Sequence, residues 1–180
     1  MRFFRILFLL VPVLDSVVMK FTNFECESYN KSWFVFHNCR LKAVSRNRIV
    51  LNMNGSILHP VSVCHVNAKV DKKANGYKPW ILDFQIDACR FLRKNYNPVA
   101  KIVYNLFREF SNINHTCPYM GPQIIQGFYL RPELLKLPFP TGEYRLSLRF
   151  FLHRKHQFDT NVSFAYVEDL LNSKKGNYTK

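Results

Sequence analysis

Tyr144-Arg-Leu-Ser-Leu-Arg-Phe-Phe-Leu-His153 alternates apolar and polar side chains with the two-residue period of a β-strand. Tyr144, Leu146, Leu148, Phe150 and Leu152 fall on one face, opposite Arg145, Ser147, Arg149 and His153, and only Phe151 interrupts the pattern. Three further runs behave in the same way. Val162, Phe164 and Tyr166 alternate with Asn161, Ser163 and Ala165; Ile49, Leu51 and Met53 oppose Asn52 and Asn54; Trp80, Leu82, Phe84 and Ile86 oppose Asp83, Gln85 and Asp87. Weaker strands are expected at Phe21–Glu27, Trp33–Leu41, Val61–Val70 and Gln126–Leu130. Turn signals stand at Asn54-Gly55, Asn75-Gly76, Gly121-Pro122 and Pro140-Thr141-Gly142. About eight strands at this spacing, in a meander or Greek key, imply a mainly β domain built as a two-sheet sandwich or a closed barrel.

One segment changes period. In Asn97-Pro-Val-Ala-Lys-Ile-Val-Tyr-Asn-Leu-Phe-Arg-Glu-Phe110, residues Val99, Ile102, Val103, Leu106, Phe107 and Phe110 make one helical stripe. Asn97 suits the N-cap and Pro98 the first turn, so an amphipathic helix over 97–110 is expected to lay its stripe on a sheet.

Of 180 residues, 48% are hydrophobic, and 17 Phe, 9 Tyr and 2 Trp exclude a disordered, collagen-like or coiled-coil chain. Met1–Ser16 has two arginines, an apolar run from Ile6 to Leu14 and a small residue at its end. That is the form of a secretory signal peptide, with cleavage expected within 16–20. A single domain then covers 20–171, and the polar stretch 172–180 reads as a loose tail. The apolar run is too short to cross a bilayer, so no stable membrane span is expected. Asn-X-Ser/Thr acceptors occur at Asn30, Asn54, Asn114, Asn161 and Asn177, where composition alone predicts about one. The excess suits a secreted, extracellular glycoprotein, and alternation makes Asn54 and Asn161 the expected occupied sites.

The five cysteines lack zinc-finger spacing and read as an oxidised framework, with no metal or cofactor expected. Two bridges among five cysteines allow 15 connectivities. The position of Cys89 and Cys117 on either side of the helix favours their pairing. Cys26 and Cys39 then face one another across a first hairpin, and Cys64 remains unpaired, as a buried thiol or an intermolecular link.

Nothing in the chain suggests an enzyme: there is no G-x-S-x-G elbow, phosphate-binding glycine loop or H-E-x-x-H helix. Asp83 and Asp87 read as surface carboxylates, and His153 and His156 as part of a basic edge. The net charge of +14 favours an anionic partner. Lys72, Lys73 and Lys78 cluster at one turn, and Arg145, Arg149, Arg154 and Lys155 line another strand and its end. A nucleic-acid partner is not expected, because no arginine-rich arm or recognition motif is present.

Four longer motifs carry a resemblance. Gly76-Tyr-Lys-Pro-Trp-Ile-Leu-Asp83, Asp87-Ala-Cys-Arg-Phe-Leu92, Ser111-Asn-Ile-Asn-His-Thr-Cys-Pro118 and Leu137-Pro-Phe-Pro-Thr-Gly-Glu-Tyr144 occur in order. Phe21-Thr-Asn-Phe-Glu-Cys26 and Cys39-Arg-Leu-Lys-Ala-Val44 precede them. Together they resemble an insect family of small secreted proteins of unknown-function domains that contains the chemosensory CheB proteins. That family is itself distantly similar to the ML lipid-recognition superfamily and the ganglioside activator protein. The resemblance implies an ML-like, immunoglobulin-like β-sandwich with a lipid cavity between its sheets, and it places Cys26, Cys39, Cys89 and Cys117, but not Cys64, on family motifs.

Two functions follow as expectations. One is a non-enzymatic carrier holding a lipid or other apolar small molecule, with Trp80, Leu82, Phe84, Leu146, Leu148, Phe150, Phe164 and Tyr166 lining its cavity; the resemblance adds a chemosensory setting. The alternative is a secreted interaction module with a packed core, which binds a receptor or extracellular partner through its basic face.

Overall fold

The structure is a computed structural model that describes residues 16–45, 48–135 and 139–169. Residues 1–15 of the expected leader, the Asn177 acceptor and the tail 172–180 lie outside the described residues. Among the described residues eight strands form: β1 Ser16–Ser28, β2 Phe34–Ser45, β3 Arg48–Val61, β4 Cys64–Ala74, β5 Gly76–Asp87, β6 Tyr119–Phe128, β7 Gly142–Leu152 and β8 Lys155–Asp169. They pair antiparallel throughout, in a five-stranded sheet of order β1-β8-β7-β4-β5 and a three-stranded sheet of order β2-β3-β6. The expected two-sheet sandwich is therefore the architecture, and its inner faces carry the alternating apolar residues. Residues 16–19, assigned above to the leader, begin β1, where Met19 is buried and pairs with Tyr166 of β8. Cleavage directly after Ser16 would keep that buried residue.

The helix forms where its period and caps place it. Helix α2 spans Pro98–Phe107, continues as a 3₁₀ turn over Arg108–Phe110, and is capped by Asn97, whose Oδ1 accepts from the Ala100 amide at 3.0 Å. A short helix precedes it, α1 over Ala88–Arg93, which the sequence reading omits. Asp87, read above as a surface carboxylate, is its N-cap and accepts from the Arg90 amide at 2.9 Å. Six residues are too few to show a helical period.

Two turn assignments are corrected and one turn is added. Asn54-Gly55 lies inside β3, paired with both β2 and β6. The glycine is there for space, since a Cβ at Gly55 would stand 2.5 Å from the ring of Phe34, itself 1% exposed. Gly121-Pro122 lies inside β6, the edge strand of its sheet, whose outer side is met by the short Ser111–Ile125 bridge and not by a further strand that would need the missing amide of Pro122. The real β7–β8 hairpin turns at His153-Arg154 with φ of 47° and 67°, a left-handed pair that carried no glycine or asparagine to announce it.

The cysteine framework has a different meaning from a hairpin clasp. Cys26 and Cys39 are bonded, as are Cys89 and Cys117, and Cys64 is free. However, β1 and β2 belong to different sheets, so Cys26–Cys39 ties sheet to sheet along one edge of the sandwich. Cys89–Cys117 ties the start of α1 to the residue preceding Pro118 and β6, across a separation of 28 residues. On the chain-entropy estimate a closed loop of that length stabilises the fold by about 3.5 kcal/mol.

Gly55→Ala is expected to destabilise the protein by about 1–3 kcal/mol through overpacking against the immobile Phe34 ring. Urea unfolding of the variant beside the parent measures it, and an unchanged midpoint would mean that the ring has room to move.

An apolar chamber between the sheets as candidate functional site

On β7 the end residues Tyr144 and Leu152 are 0% and 1% exposed, as inward residues of a central strand should be. Leu146, Leu148 and Phe150 between them point to the same side yet are only half-buried. They border a cavity of about 280 Å³ between the sheets. A cause is legible in the register. The row of the five-stranded sheet through Leu148 runs Cys26, Thr160, Leu148, Ala68, Phe84, so that small side chains occupy three of its five positions. Neighbouring rows close again: Phe150 and Phe34 stack on either side of Phe158, with ring centres 4.3 and 3.8 Å away. At the other end Tyr144 stacks on Phe164 and meets Phe139 edge-on.

The third wall is helical. Ala100, Val103, Leu106 and Phe107 of α2 and Phe91 of α1 line the chamber, so the helical stripe closes the gap between the sheet edges instead of lying flat on a sheet. Leu130, Leu135 and Phe139, from the segment between β6 and β7, complete one end.

Of the eight residues expected to line a cavity, Leu82, Phe84, Leu146, Leu148, Phe150 and Phe164 do so. Trp80 and Tyr166 do not; they pack around Tyr144 and Phe139 at the end of the sandwich. Strand parity identified the inward face but not how far along it the hollow extends. The wall residues of α1, α2, β3, β6 and the 130–139 segment were missed, although the helical stripe was a readable signal for α2.

No wall residue is charged among the described residues. The few polar ones are quiet. Tyr104 donates its hydroxyl to the Ile113 carbonyl at 2.9 Å, and Tyr119 donates to that of His115. Burial pushes the Tyr119 hydroxyl up to about 12 and the Cys64 thiol likewise to about 12, so both stay protonated at neutral pH. Cys64 borders the chamber, where a protonated thiol behaves as a small apolar group.

The basic residues lie elsewhere and are partly engaged. Lys73 pairs with Glu143 at 2.7 Å, Lys72 sits 5.0 Å from the Trp80 ring centre, Arg145 lies 3.8 Å over Tyr77, and Lys78 is exposed. Arg149 and His156 both approach Asp159, at 3.9 and 2.6 Å, and Phe151 stacks on His156. The carboxylate of Asp83 is exposed. Among the described residues no helix is long and apolar enough to cross a membrane.

Of the acceptor asparagines, Asn114 is exposed in a loop, and Asn30 is half-buried with its Oδ1 accepting from the Ser32 amide and hydroxyl at 3.2 and 2.7 Å. Asn54 and Asn161 are on outer faces, as alternation requires, but they sit half-buried on inner strands, and Oδ1 of Asn54 is enclosed without a partner.

The fold and site define a class: a disulfide-tied antiparallel sandwich with an apolar chamber between its sheets. Residues 66–146, from β4 into β7, match the family described as "Protein of unknown function (DUF1091)", the family of unknown-function domains to which the motifs above point. A crystal structure of chicken MD-1 complexed with lipid IVa is similar at 13% identity and a TM-score of 0.29, over 87% of this chain and 99% of that one. No curated protein matches the chain.

Two outcomes are expected. Iodoacetamide at pH 8 should leave Cys64 unlabelled in the folded protein and label it once the protein is unfolded with its bridges intact, read by peptide mass mapping. In secretory expression, glycosidase treatment with site mapping should show Asn114 occupied ahead of Asn54 and Asn161; a glycan on Asn54 or Asn161 with Asn114 bare would mean that strand position does not govern occupancy.

Proposed function

We propose that the protein is a secreted, non-enzymatic carrier that holds a lipid or other apolar small molecule between its sheets. The observation that carries this reading is the chamber itself, hollow in the middle of the most central strands and walled by uncharged residues. Close packing is the rule for protein interiors, and a void of this size forfeits contacts on every side of it. Smaller apolar cavities stay dry and take up apolar molecules. An acyl chain entering here contributes about 0.8 kcal/mol per methylene, so about ten methylenes supply near 8 kcal/mol before ordering costs. Two disulfides support an oxidising compartment, and hence secretion. The resemblance of the sequence motifs to CheB proteins supports a chemosensory setting in an insect.

Leu148→Trp is the discriminating variant, because it keeps the site apolar while filling space above Ala68 and Thr160. It is expected to block uptake of a fluorescent fatty acid with little change in thermal midpoint. A steep fall in midpoint, together with a parent protein that takes up no fatty acid, would instead indicate a packed interaction module, since overpacking a full core costs about 1–3 kcal/mol.

A further inference from the structure

The charge of the molecule is divided unevenly between its two sheets. The strands of the five-stranded sheet carry eight lysines and arginines against nine aspartates and glutamates, so that sheet is close to neutral although the chain is +14. Strands β2, β3 and β6 carry Arg40, Lys42 and Arg48 and no acidic residue. In the sequence the gap is wider still, since no Asp or Glu occurs between Glu27 and Asp71. Strand parity then puts the three cations on one surface. Cys39 and Leu41 of β2 and Ile49 of β3 pack against the core, so Arg40, Lys42 and Arg48 at the alternate positions stand on the outer face, and all three are exposed.

None of the three lies within 4.0 Å of a carboxylate among the described residues, whereas Lys69, Lys73 and Arg149 of the larger sheet each have an acidic partner. Arg48 lies 3.8 Å over the Tyr129 ring centre, which holds its plane while the residue stays exposed. Arg40 and Lys42 are about 7 Å apart along β2. Asn52 stands opposite Arg40, and the next row carries Asn38 and Asn54. Cations interleaved with amides along an extended face match a linear polyanion that offers sulfates to Arg and Lys and hydroxyls to Asn. Other anionic surfaces match it less well. A protein partner needs a desolvated apolar or aromatic centre, and a bilayer needs apolar or aromatic anchors. The exposed large hydrophobics of this sheet are Val44 at one end and Leu58 and Met120 at the other, and none is aromatic. We propose that the outer face of the three-stranded sheet, around Arg40, Lys42 and Arg48, docks a sulfated polysaccharide. This is independent of the chamber and rests only on the secreted setting. A bare Asn54, in keeping with the occupancy expected above, leaves the face open.

The test is the affinity of the full secreted protein for a size-defined heparin oligosaccharide in about 0.15 M salt. A chain of +14 attracts any polyanion, so two triple variants of equal charge are compared. Arg40→Gln/Lys42→Gln/Arg48→Gln strips the face, and Lys20→Gln/Lys78→Gln/Lys155→Gln removes three exposed lysines from the other sheet. The first should weaken binding about 10- to 100-fold and the second less than about threefold. Desulfated heparin should bind the parent at least about tenfold more weakly than heparin. All six positions are exposed, so both triples should keep the parent's thermal midpoint. If the first does not, Arg40→Gln/Lys42→Gln spares the Arg48–Tyr129 contact and should still lose about tenfold. Equal losses in the two triples, or equal binding of desulfated heparin, would overturn the proposal. Vesicles of equal parts phosphatidylcholine and phosphatidylserine are the counter-probe. A parent that binds them and not the oligosaccharide, with that binding lost in the first triple, assigns the face to a membrane and overturns the proposal too. None of these outcomes alters the reading of the chamber, which is tested by uptake of a fatty acid.

Discussion

The Cys26–Cys39 bridge sets the shape on which the rest depends. It joins β1 of the larger sheet to β2 of the smaller one, so the two sheets are held together along that edge. At the opposite edge β5 and β6 are not joined directly. The chain between them runs through α1, α2 and a 3₁₀ turn, and Cys89–Cys117 anchors that connection at both ends. A sandwich pinned on one side and propped by a helix on the other has an interior whose width the helix sets. The apolar stripe of α2 is then a wall of the interior, which explains why so strongly amphipathic a helix lies beside two sheets without packing flat on either.

The same arrangement explains the quality of burial along β7. Aromatic stacks close both ends of the interior, while the row through Leu148 is short of volume because Ala68 and Thr160 flank it. Empty space in a core is normally a loss of several kcal/mol relative to filling it. The loss is concentrated in one contiguous, uncharged chamber, with the tyrosine hydroxyls along it turned back onto backbone carbonyls.

Much of the fold was legible in the sequence because strand parity and helix capping are local. Seven of the eight strands among the described residues, the Asn97 cap and the helix over 97–110 followed from period and end signals, whereas β6, Tyr119–Phe128, was read only at its end, as Gln126–Leu130. The failures are those of non-local physics. Gly55 reads as a turn residue but answers to the ring of Phe34 across the sheet, and the first two strands read as a hairpin although they part into different sheets. His153-Arg154 turns a hairpin without any turn residue, because the ladder between β7 and β8 imposes the left-handed pair. For the site, parity selected the correct face of β5, β7 and β8. What it could not supply was the register, and only the register sets Leu148 beside two small residues and leaves Trp80 and Tyr166 beyond the hollow.

The most direct measurement is native mass spectrometry of the protein purified gently from a eukaryotic secretory host, followed by spectra after acid unfolding. A filled chamber predicts a discrete excess mass of one amphiphile per chain, lost on unfolding and restored when a fatty acid is added back. A folded protein that carries only its covalent mass, and gains none when fatty acid is supplied, would contradict a ligand between the sheets.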